Sequence, residues 1–259
     1  PSFALFVLIV VISAYAGRVA GAAAGLALAI GMIGHENFYD GFFPNYADHH
    51  GILTASVLGL VLGAILMGAG WRREGSGATT LYPASRAAMR SAAIVSAMSG
   101  AVGVWISAAS VIPPIALVGL AGVATMLWSG RAAVKNGVQY DASVWRLWGR
   151  VGGAACLFFY IVEYFPFHLG FRLEVNHPFY ALAWWGGGEL IAEITERWLG
   201  PPHLRSQRRL RVIGPLALTA LAPLTMLIGR SSVFVPLDAF LGKLHREFVF
   251  EFMPLSLEG

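Results

Sequence analysis

The hydrophobic positions of this chain do not alternate with polar ones; they run together in long blocks. Several of these blocks reach roughly 17–25 residues, enough for a helix to cross a hydrocarbon layer of about 30 Å. Unbroken runs without a period of two predict helices, not the strands of an outer-membrane barrel. In chain order they predict eight spans, over residues 2–16, 19–34, 51–70, 91–107, 111–129, 147–165, 178–195 and 211–229. The first two are short and are expected to join at Gly17-Arg18. Pro113-Pro114 is expected to open the fifth span in its first turn, where a missing N–H donor costs little. Pro215 and Pro223 predict a kink or a break in the last span. The expected fold class is an all-α membrane protein: a polytopic helical bundle of about eight transmembrane helices. It forms a single domain over residues 1–259, with outer loops at 35–50, 163–177 and 230–259.

Composition sharpens this picture. The chain is 57% hydrophobic and 12% charged, against roughly 25% charged residues in soluble domains. The single Cys156 lies inside a predicted span, so no disulfide framework is expected. No basic region precedes the first apolar run, which argues against a signal peptide. A start at Pro1-Ser2-Phe3 suggests part of a longer polytopic protein, incomplete at both ends.

Charge then assigns the sides. Fourteen of the 18 basic residues fall in the segments after the first, third, fifth and seventh spans, Arg146 and Arg150 among them. Those segments are expected to be cytoplasmic. The net charge of +4 largely reflects that asymmetry and calls for no nucleic-acid partner. The opposite face collects nine of the 14 acidic residues and six of the seven histidines. Acid and imidazole gathered on one face with few cations suit a divalent metal.

Three patches carry the candidate chemistry. Asp48-His49-His50 stands where a polar loop meets an apolar run. In an extended segment Asp48 and His50 point to one side and His49 to the other. An oxygen and a nitrogen donor suit manganese or magnesium, Mn2+ or Mg2+. The competing reading is that Asp48 caps a helix beginning near His50. The second patch runs from Glu163 through Arg172 and Glu174 to His177-Pro178. Arg172 is suited equally to holding a phosphate or to pairing with Glu174, and Glu163 is expected to face a cavity. The third is the outer tail, with Asp238, Lys243, His245 and Glu251 among aromatics.

Two features read as structural. Glu189, Glu193 and Glu196 form one helical stripe near the inner end of the seventh span, where contact with a neighbouring helix is expected over chemistry. The Gly186-Gly187-Gly188 run beside them suits close packing or a flexible backbone, and the tryptophans are expected to anchor span ends at the interface.

In this order the patches resemble the catalytic subunit family of oligosaccharyltransferases, membrane glycosyltransferases of the GT-C fold. The residues carrying the resemblance are Asp48-His49-His50, matching an Asp-x-His metal motif in the second external loop, and the outer tail. There Asp238, Lys243-Leu244-His245 and Val249-Phe250-Glu251-Phe252-Met253-Pro254 are similar to the family's fifth-loop pattern. The resemblance implies a GT-C-like core that moves a sugar from a polyprenyl phosphate or pyrophosphate donor to an acceptor, protein or glycan, with inversion. It implies Asp48 and Glu251 as catalytic residues and Asp48 and His50 as metal ligands. It implies Arg172 at the donor phosphate, with His49, Glu36, Asp40, Glu174, His177 and His245 as accessory residues. Membrane lipid, the lipid-linked donor and the acceptor are the partners implied. The location implied is multi-pass in a bacterial inner membrane, with the site facing the periplasm or exterior. The alternatives are a transporter working through Glu189 and Glu193, and a non-catalytic membrane scaffold.

Overall fold

The structure, a computed structural model, describes residues 2–34, 49–73, 85–166, 173, 175–199 and 210–229. Among them are eight α-helices: α1 (Ser2–Ala20), α2 (Ala22–Gly34), α3 (His50–Leu66), α4 (Arg86–Ile106), α5 (Ala108–Lys135), α6 (Ser143–Tyr164), α7 (Pro178–Leu199) and α8 (Ile213–Gly229). Three stretches, His50–Gly70, Arg86–Ile106 and Ala108–Lys135, are long and apolar enough to cross a membrane. Shorter apolar helices lie at Leu5–Arg18, Ala22–Gly34 and Ile213–Gly229. Helices α6 and α7 reach 22 residues each but carry Arg146, Arg150, Glu163 and the Glu189 stripe.

The helix ends correct several expectations. The break between α1 and α2 falls at Gly21, not at Gly17-Arg18. Gly21 has φ +91°, a left-handed conformation that suits glycine, and its carbonyl accepts the Ala24 and Gly25 N–H groups. Gly17 stays helical at the crossing with α2, where a Cβ on Gly25 would meet the Ser13 carbonyl at 2.6 Å. The turn between α4 and α5 is the single extended residue Ser107, and α5 begins at Ala108, three residues before the predicted fifth span. Pro113 and Pro114 consequently lie inside α5, beyond its first turn. Neither proline breaks α8: Pro215 is its third residue, where no intrahelical donor is needed, and the helix continues through Pro223.

Small residues determine how the helices meet. A Cβ on Gly149 of α6 would lie 2.9 Å from the Gly188 Cα of α7, and one on Gly153 would lie 2.6 Å from the Ala181 carbonyl. Gly186, on another side of α7, presses on α8, with the Pro215 carbonyl 2.8 Å from where its Cβ would be. The triple glycine thus lets one helix touch two neighbours through backbone, as small-residue faces do in membranes. Gly63 of α3 meets Ser96 of α4 in the same manner.

The glycine-lined hollows are filled by indoles. Trp184 fits against Gly100 and Gly152, Trp145 against Gly122, and Trp71 beside Gly130. Trp145, Trp148 and Trp184 form an edge-to-face series with centroids 5.6 and 5.1 Å apart. These tryptophans and Trp71 are buried, which corrects the expectation that they anchor span ends. Trp148 donates to Ser96 Oγ at 3.0 Å, and Ser96 donates in turn to the Leu60 carbonyl at 2.7 Å, joining α6, α4 and α3. Between α3 and α4, Trp71–Arg72 (β1) pairs antiparallel with Gln139–Tyr140 (β2) from the segment between α5 and α6.

Candidate functional site

Chain direction places the N-termini of α3, α5 and α7 and the C-termini of α4 and α6 at one end, the predicted outer one. The described polar residues at that end include His49, His50, Trp105, Ser107, Ser110, Glu163, Tyr164, Asn176 and His177. The described cations, from Arg18 to Arg211, all lie toward the other end. The described cations are thus gathered at one end, but Asp141, Glu189, Glu193 and Glu196 share that end with them, and Glu163 alone of the described carboxylates lies at the other.

At the outer end α3 starts with His50, and His49 is its N-cap residue, with φ −80° and ψ −9° and no side-chain cap hydrogen bond. This conformation is helical, not extended. The two imidazoles stack, with ring centroids 4.7 Å apart and 22° between planes. The expectation that His49 turns away from His50 is thereby corrected: a helical backbone swings successive side chains by about 100°, which brings these rings together. Asp48, Glu36, Asp40, Arg172, Glu174, His245 and Glu251 lie outside the described residues. Among those described, no group of three His, Cys, Asp or Glu side chains comes together to hold an ion.

His177 takes a structural place. It is buried and immediately precedes Pro178, the first residue of α7, and its Nδ1 accepts the Phe179 N–H at 3.2 Å. That is an N-cap interaction, with proline at the position where its lost donor matters least. The ring also meets Phe179 and Tyr160 edge-on. Glu163 is exposed and accepts a hydrogen bond from Trp105 Nε1, so it faces no enclosed cavity. Asn176, which sequence reasoning missed, is 1% exposed. Its Nδ2 donates to the Cys156 carbonyl at 2.9 Å, while its Oδ1 has no partner among the described residues.

The densest ionic arrangement among the described residues is at the opposite end of the helices, the predicted inner one. Arg146 of α6 spreads its guanidinium across the α7 stripe: Nε to Glu189 at 3.1 Å, Nη2 to Glu193 at 2.9 Å and Nη1 to Glu196 at 2.5 Å. Arg150 reaches the other Glu189 oxygen at 2.6 Å. The expected helix contact is what these glutamates make. Arg146 and Arg150, taken from sequence as flanking cations, are instead partners within the helix pair. The legible signal was the match of two arginines four apart to a glutamate stripe. Glu193 Oε2 is buried without a partner among the described residues, as are Nε and Nη2 of Arg197, one turn further on.

Beside this network Tyr140 is held by β2. Burial pushes its phenol up to about 12. Thr195 and Trp145 stand close, but Thr195 donates to the Ile191 and Ala192 carbonyls and Trp145 to the Ala69 carbonyl. The Tyr140 hydroxyl is left without a partner among the described residues. Arg72, 8% exposed, donates from Nη2 to Gln139 Oε1 across the strand pair. Comparison with protein-family models, curated proteins and solved structures finds no match for this chain.

Proposed function

We propose that this chain is the membrane core of a glycosyltransferase that takes sugar from a polyprenyl-linked donor at the outer face. In this reading all eight helices belong to a GT-C-like bundle, with α6 and α7 crossing the membrane while their charges pair with one another. The observation that carries the reading is the stacked His49–His50 pair at the mouth of α3, adjoining Asp48, at the end where no described cation lies. Imidazole and carboxylate donors suit a divalent ion, and Asp48 and His50 would hold it, with His49 supporting His50 by stacking. Such an ion supplies charge neutralisation at the departing phosphate when bound. Arg172 binds the donor phosphate through its planar fork. Glu251 orients the acceptor in line with the anomeric carbon.

The transporter reading draws its support from Glu189 and Glu193. Both Glu189 oxygens are bound by arginine and Glu193 is bound through one, so a structural role accounts for these carboxylates. The test is turnover of a polyprenyl-linked sugar by the full chain in lipid, with manganese or magnesium. Asp48→Ala and Glu251→Gln are each expected to abolish transfer without affecting membrane insertion, and chelation to stop the wild type. Wild-type rates in both variants would remove the site assignment.

A further inference from the structure

The outer surface of α5 changes character along its length in a way that fits one ligand. Its buried stripe, from Ala108 through Gly119 and Gly122 to Gly130, faces the bundle. The opposite face is bare. Leu117 and Leu120 are 63% and 65% exposed, and Trp128 is 94% exposed. Arg131 and Lys135 follow, three and seven residues after Trp128, within about 60° of it around the helix axis. Both are exposed. The helix contains no Asp or Glu, and neither cation has a carboxylate partner among the described residues. Two like charges four residues apart on one face repel unless an anion lies between them. The Arg131 guanidinium is held instead over the Trp198 ring of α7, 4.5 Å from its centroid.

We propose that this face binds an anionic phospholipid. Arg131 and Lys135 take the headgroup phosphate, Trp128 and Trp198 sit at the interfacial level, and the Leu117–Leu120 surface carries an acyl chain. The lengths agree: Leu117 to Trp128 rises about 16 Å along the helix, close to half of a roughly 30 Å hydrocarbon layer. Arg131 is held in place by its stacking on Trp198. Charge and depth together select the occupant. A soluble anion would gain nothing from the apolar track, and a neutral lipid nothing from the cations. The inference rests on the membrane reading of α5 and is independent of sugar transfer.

The test uses the full chain reconstituted in phosphatidylcholine vesicles, with or without phosphatidylglycerol, then extracted in detergent, with retained lipid measured. Phosphatidylglycerol is expected to be enriched over its bulk fraction. The pair Arg131→Gln/Lys135→Gln should lower that enrichment by roughly thirtyfold at most, taking the usual gain per interfacial cation. Arg131→Lys/Lys135→Arg should keep most of it. A loss below threefold in the neutral pair, or equal retention of both lipids by wild type, would overturn the site. Displacement of the lipid by millimolar inorganic phosphate would overturn the lipid assignment in favour of a free-anion site. Failure to float with either vesicle would overturn the membrane reading itself.

Discussion

Replacing Arg146 with methionine should be among the most damaging single changes in the described part of the chain. The substitution keeps a long apolar stem but withdraws the guanidinium that binds Glu193 and Glu196. Their side chains are 9% and 27% exposed, and that of Arg146 is 22% exposed. Removing one partner of a buried ion pair costs about 3–5 kcal/mol, because the remaining charge stays desolvated. Partial exposure at Glu196 and the surviving Arg150–Glu189 contact argue for the low end, about 3 kcal/mol. Arg150 is 56% exposed, so Arg150→Ala should cost under about 1 kcal/mol. Equilibrium unfolding in mixed micelles, followed by far-ultraviolet circular dichroism, measures both. Adding Glu193→Gln and Glu196→Gln to Arg146→Met should recover most of the loss, since neutral amides carry no stranded charge. The reasoning fails if Arg146→Met costs less than about 1 kcal/mol, or if the triple variant is no more stable than the single.

Other perturbations probe the packing and the titrating groups. Gly149→Val should destabilise by about 1–3 kcal/mol through overpacking against Gly188. Gly187→Ala, with open space around its Cβ, should be neutral or stabilise by up to about 1 kcal/mol; thermal melts compare the two. Tyr140 offers a pH test. Its folded phenol titrates near 12 against an ordinary value of 10, so the unfolded chain loses its proton first as pH rises. Stability should therefore fall between pH 10 and 12 by roughly 2–3 kcal/mol, and Tyr140→Phe should remove that component from a pH series of denaturation curves.

Helix positions were largely legible because apolar runs of membrane length leave few alternatives. The runs understate helices at polar ends. The α4 helix begins five residues before its predicted span because Ser85 caps it, accepting the Ala88 N–H at 3.1 Å, and a hydrophobic run cannot register a turn built around Arg86 and Arg90. Tryptophan burial was illegible for a different reason. An indole suits an interface or a hollow, and only the facing glycines, Gly100, Gly122 and Gly152, decide which. The glutamate stripe was read correctly as a helix contact, yet its partner is set by tertiary geometry. At the candidate site the His49–His50 adjacency was legible, while the start of the helix at His50 changed how the two rings are disposed.

The most direct measurement follows a labelled polyprenyl-phosphate sugar, added with an acceptor peptide or glycan to vesicles containing the wild-type chain. If the His49–His50 end houses sugar transfer, freed polyprenyl phosphate should accumulate with manganese or magnesium, one molecule per sugar transferred. No release above protein-free vesicles with either metal, together with solute flux that depends on Glu189, would contradict it.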